Sequence, residues 1–136
     1  MRALGVAGGG GVGTAADLAL YYQGLLHDPA GIWPEERLDW ATEVRCDLDV
    51  PIRHVPAHRS LGLMVAGDPP DAMLRGFGHG MSPRSFGHNG AAGQVAWVDP
   101  DSGVSFGYVT NGIDQHLIRE GRRSIGLSSR AAACLA

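Results

Sequence analysis

The 136-residue chain contains no lysine, and all 11 of its basic residues are arginine. That absence excludes every motif built on a lysine amine. An excess of either charge is missing too: 11 basic against 14 acidic residues leave a net charge of −3. No basic surplus favours nucleic acid, and no acidic tail favours a solvated segment. The two cysteines, Cys46 and Cys134, form no metal spacing and no disulfide framework, so they read as two buried free thiols. No stretch approaches the roughly 18 consecutive apolar residues of a membrane span. Met1-Arg2 followed by an apolar run to Ala7 imitates a signal peptide, but the run dissolves into Gly8-Gly9-Gly10-Gly11, a poor hydrophobic region. A cytoplasmic location is therefore favoured.

Glycine is abundant, with 21 residues, about twice average usage. Glycine and the 8 prolines together stay short of a low-complexity composition, and a hydrophobic content of 44% with three tryptophans is enough for a core. The length suits one domain and is too short for two well-developed cores. No internal repeat and no dividing linker interrupts it.

Thr14-Ala15-Ala16-Asp17 reads as a capping box, and Leu18, Tyr22, Leu25 and Leu26 behind it form one apolar helical stripe. His27-Asp28-Pro29-Ala30-Gly31 stops that helix. A second helix is expected from Pro34, with Glu35 and Glu36 at its positive end and Leu38, Ala41 and Val44 on one side. Residues 46–59 read as a long surface connection. Strands are expected at 61–66, 85–89, 94–98 and 104–110, the last two joined by the turn Asp99-Pro100-Asp101-Ser102-Gly103. The tail from about residue 115 to 135 reads as a helix, with Gly121, Ser124, Ser128 and Ala132 small enough to let it lie close on a sheet. Helices, then a strand meander, then a helix make this α+β: an antiparallel sheet flanked by helices, with no βαβ alternation.

Several motifs fail on mechanics. Gly8 to Gly13 satisfies G-x-G-x-x-G, but no acidic second strand follows the helix, so it reads as an entry loop and no cofactor is expected. Gly103-Val104-Ser105-Phe106-Gly107 satisfies G-x-S-x-G, but Ser105 lies within an alternating strand rather than on a strand-to-helix elbow. His54 and His58 have a metal-ligand spacing, yet Pro56 between them argues against the helix that would align them, and no metal is expected. Arg119, Arg122 and Arg123 read as a solvated helix face.

The informative stretch runs from Phe86 to Asn111. Gly87, Gly90 and Gly93 each weaken a strand by roughly 1 kcal/mol, which points to close approach by a substrate or another backbone. Phe86-Gly87-His88-Asn89-Gly90, the following glycine, the Asp-Pro hairpin and the strand ending at Asn111 resemble the serine β-lactamase-like hydrolases. That superfamily includes class C β-lactamases, penicillin-binding proteins and related carboxylesterases. Its third motif, Lys-Thr-Gly or His-x-Gly, sits on a sheet strand, and His88-Asn89-Gly90 occupies that place in the His form of the esterase-like members. Thr14 to Ala19 also resembles the helix entry that follows the family's second motif, so the likeness covers the chain from about Gly8 to the final helix.

The resemblance implies a β-lactamase/transpeptidase-like fold and acyl transfer through a serine on a small-molecule ester or amide, with esters favoured over β-lactams. It implies that His88 lines the pocket and tunes the proton relay, and that Asn89 and Gly90 contact substrate. The Ala91 backbone N–H would be an oxyanion donor, worth about 3–4 kcal/mol in such sites. The departure lies at the nucleophile. Without lysine there is no Ser-x-x-Lys, and Tyr21, Tyr22 and Tyr108 stand in no Tyr-x-Asn. Residues 1–136 therefore read as the C-terminal part of one such domain, beginning after both motifs, inactive alone and prone to self-association through exposed apolar surface. The competing reading is a truncated or degenerate chain with at most a binding or scaffolding role.

Overall fold

The computed structural model describes residues 8–51, 54–91, 93–112 and 114–135. The first helix, α1 (Ala15–His27), opens on the expected capping box: the Thr14 hydroxyl accepts from the Asp17 N–H at 3.2 Å, and the Asp17 carboxylate accepts from the Thr14 N–H at 2.7 Å. These Thr14 bonds hold the Asp17 carboxyl below its ordinary range. Helix α2 (Arg37–Thr42) starts three residues later than expected, because Glu35 and Glu36 form a turn before it.

The main sheet is antiparallel in the order β3 (Met64–Val65), β4 (Phe86–Asn89), β5 (Val95–Val98) and β6 (Ser105–Tyr108). All four expected strands are present and all are shorter than expected. At β3 the shortening has a local cause: the Ser60 N–H bonds the Leu63 carbonyl, and Gly62 takes a φ of 84°, so residues 60–63 turn.

Alternation along the strands gives the sheet two apolar faces. Val65, Phe86, Ala96 and Val98 meet Leu18, Tyr22, Leu25 and Leu26 of α1. A Cβ at Gly107 would run into the Ala15 carbonyl, so the glycine lets α1 lie directly on β6. The opposite face places Met64, Val95 and Trp97 with Phe106, Tyr108 and the end of α4 (Leu117–Ala132). Burial in this first layer pushes the Tyr22 phenol up to about 12, with the neighbouring Tyr21 adding to the effect.

Helix α4 is the expected tail helix, extended by a 3₁₀ turn at Ala133–Leu135. Ser124 and Ser128 are buried on the sheet as expected, whereas Gly121 faces open space and is not needed for the approach. The close approach occurs instead at Gly78, whose position leaves no room for a Cβ against the backbone of Ser128 and Ser129.

Residues 46–59 are not simply a surface connection. They contain the two-stranded pair β1 (Asp49–Val50) and β2 (Val55–Pro56), and Val55 and Ala57 are buried. A short helix, α3 (Asp71–Leu74), follows β3 and leads into Arg75, which is 5% exposed. Arg75 donates from Nε to the Pro56 carbonyl at 2.9 Å and from Nη1 to the Ala66 carbonyl at 2.7 Å, fastening β2 to the main sheet. Neither thiol is disulfide-bonded, but the expectation of burial is overturned: Cys46 is half-buried and Cys134 exposed. No helix among the described residues is long and apolar enough to cross a membrane.

Candidate functional site

Strand β4 carries the His-x-Gly sequence to the end of the sheet. Phe86 to Asn89 pair with Val98 to Val95, and the Gly90 N–H closes the hairpin on the Gln94 carbonyl at 2.8 Å. The glycines here answer to neighbouring chain. A Cβ at Gly87 would collide with the backbone of Ala96 and Trp97, and one at Gly90 would press on Gln94 at 3.0 Å. Gly93 takes a φ of 127°, which only glycine adopts readily, and lies against the Arg123 guanidinium.

A cavity of about 390 Å³ opens at this hairpin, lined by Asn89, Gly90, Ala91, Asp114, Gln115, Leu117 and Glu120. Asn89, Gly90 and Ala91 thus share one wall. His88 is not among the lining residues. Its ring is exposed, with Nδ1 2.6 Å from the Asn89 carbonyl oxygen and Nε2 2.9 Å from Arg59 Nη1.

The facing wall comes from the start of α4. The Asp114 carboxylate accepts from Arg119 Nε and Nη2 at 2.8 Å each, from Arg123 Nη1 at 3.3 Å, and from the His116 N–H at 3.0 Å. The Arg119 hydrogen bonds, followed by the His116 N–H, hold the Asp114 carboxyl far below the ordinary carboxylate range, against a smaller upward push from burial. The same pairing raises the Arg119 guanidinium. Arg119 and Arg122 are exposed, as a solvated face requires, but Arg119 and Arg123 are paired with Asp114 rather than free. Glu120 accepts from the Ser124 hydroxyl at 3.3 Å and borders the same cavity.

Glu120 and Arg59 escaped the sequence reading, and Asp114, which follows Ser105 in the order of a catalytic triad, pairs with arginines instead. The cluster of arginines on α4 was the available signal for that pairing; Arg59 had none, since 29 residues separate it from His88. Other motifs lie elsewhere. Ser105 begins β6, which no helix follows directly, so the nucleophile-elbow geometry is absent. His54 and His58 flank β2 with positive φ, and the His58 ring pairs with Asp47 at 3.2 Å. Gly8 to Gly13 form the loop leading to α1, while residues 1–7, where a preceding strand would be needed, lie outside the described residues.

A family model described as Beta-lactamase matches residues 1–125. No curated protein is a significant match. The family match covers the capping box of α1, the whole antiparallel sheet and the cavity at its end. With its antiparallel sheet flanked by helices, the chain belongs to the Beta-lactamase family, within the serine hydrolase superfamily.

Proposed function

We propose that residues 1–136 are the C-terminal part of one β-lactamase-like domain whose reaction is acyl transfer from a small ester to water. The observation that carries this reading is the cavity at the Asn89-Gly90-Ala91 turn in a chain of this family. In it the Ala91 N–H serves as one oxyanion donor, Asn89 and Gly90 border the acyl group, and His88 stands beside the turn as part of the proton relay. Donors of this kind stabilise charge that develops only after a nucleophile attacks.

The nucleophile belongs to a Ser-x-x-Lys segment that these residues, having no lysine, do not contain. The isolated chain is accordingly expected to perform no acyl transfer beyond the trace that a lone general base gives to water. Esters are favoured over β-lactams because histidine stands where the β-lactam-acting members carry lysine. Self-association is part of the same reading, since Tyr21, Trp33, Trp40 and Leu61 are exposed around one apolar groove.

Two measurements test it. The purified chain is incubated with a p-nitrophenyl ester and, separately, a fluorophosphonate probe, and turnover and intact mass are recorded. Background hydrolysis and no adduct are expected; a stoichiometric adduct with enzyme-like turnover refutes the reading and returns attention to Ser105. Translation of the DNA upstream of Met1 in all frames is expected to reveal Ser-x-x-Lys and Tyr-x-Asn. Their absence would favour a non-catalytic chain with a binding or scaffolding role.

A further inference from the structure

Arg59 reaches the end of β4 from a fixed piece of backbone. Its N–H bonds the Cys46 carbonyl at 2.9 Å, its carbonyl accepts the Cys46 N–H at 3.0 Å, and it bridges to Met64 of β3. From there Nη1 stands 2.9 Å from His88 Nε2, while His88 Nδ1 stands 2.6 Å from the Asn89 carbonyl oxygen. A guanidinium only donates and a carbonyl only accepts. The two contacts together therefore admit one state of the ring: the proton sits on Nδ1, and Nε2 presents its lone pair to Arg59. A second ring proton would set an N–H against a guanidinium N–H. No carboxylate among the described residues pairs with Arg59 to draw it away.

We propose that Arg59 is a positioning residue that holds His88 in the singly protonated Nδ1–H tautomer, with its Nε2 lone pair occupied. While Arg59 is in place the Nε2 lone pair is engaged, so His88 can take part in a proton relay only when that contact opens. His88 then serves as the bridge between the Arg59 cation and the backbone of the turn that carries Ala91. The functional meaning rests on the reading of His88 as a site residue; the tautomer itself does not.

Long-range proton–nitrogen correlation spectra of the nitrogen-15-labelled chain at pH 8 read the tautomer directly, with the His88 signals assigned by their loss in His88→Gln. The expected pattern is a protonated Nδ1 and an unprotonated Nε2 displaced from the free lone-pair frequency by the bond it accepts. In Arg59→Ala that displacement is lost, and in Arg59→Lys, which keeps a donor, it is largely restored. A protonated Nε2 in the unaltered chain overturns the proposal even if a variant fails to fold, and so does an Nε2 frequency that Arg59→Ala leaves unchanged. Ester turnover is measured on the same samples. Enzyme-like turnover with the expected tautomer sinks the function proposed above and leaves this assignment standing, while background turnover with the opposite tautomer does the reverse.

Discussion

Trp97 Nε1 donates to Ser128 Oγ at 3.0 Å, and both side chains are fully buried. The bond joins the centre of the sheet to α4 and satisfies an indole N–H that has no water to turn to. Ser128→Ala leaves that donor unpaired and should cost about 1–3 kcal/mol. Trp97→Phe removes the donor along with some packing. Urea denaturation of both single variants and the double variant should show coupling, and strictly additive losses would mean that the bond contributes nothing.

Two glycines make opposite predictions. Gly87→Ala drives a Cβ into the Ala96 and Trp97 backbone and should destabilise the chain by about 1–3 kcal/mol as an overpacked core does. Gly121→Ala adds a methyl group in open space inside α4 and should stabilise by about 0.5–1 kcal/mol. Calorimetric melting temperatures should move in opposite directions.

Acid should unfold the protein partly through Asp99. The carboxylate, 3% exposed, accepts from the Ser82 hydroxyl at 2.7 Å, the Ser82 N–H at 3.2 Å and the Asp101 N–H at 3.1 Å. Burial pushes its carboxyl up, but the bonds from Ser82, Asp101 and Ser102 outweigh that and hold it below the ordinary value of 3.8. A folded-state value below the unfolded one means the stabilisation is complete well above pH 3.8 and is lost as the pH falls through and below that value. Asp99→Asn should lower stability at pH 7 and flatten its fall between pH 5 and about 2. An unchanged acid limb in chemical denaturation would exclude Asp99 as a contributor.

At the alkaline end, Tyr22 should govern. Its phenol is raised from 10.0 to about 12, so the neutral form is the one the fold prefers. Stability from this group is complete below pH 10 and is lost as the pH rises through 12. Ultraviolet titration should show the Tyr22 phenol ionising at about pH 12. Tyr22→Phe should remove that phase and the alkaline loss with it.

Most of this architecture could be read without coordinates. The Thr14–Asp17 box and the Asp99–Gly103 turn each act over a few neighbours, so their chemistry is written locally. The pair β1–β2 and the four-residue α3 were missed because such short elements carry no period; their stability comes from Val55 burial and from Arg75, a contact across 19 residues. The candidate site divides in the same way. Asn89, Gly90 and Ala91 are adjacent in sequence and line one wall, whereas the Asp114–Arg123 wall and the Arg59–His88 contact exist only once α4 and β3 have docked.

The seating of α1 on Gly107 is one half of a two-point register. Ala15 lies over Gly107 at one end, and Gln23 Nε2 donates to the Gly103 carbonyl at 2.9 Å at the other. From Ala15 to Gln23 the helix rises about 12 Å, so the two contacts together fix the register of α1 against β6 and the turn before it. One residue inserted between Gly103 and Gly107 would turn the strand over and bring a side chain under the helix where only a hydrogen now fits.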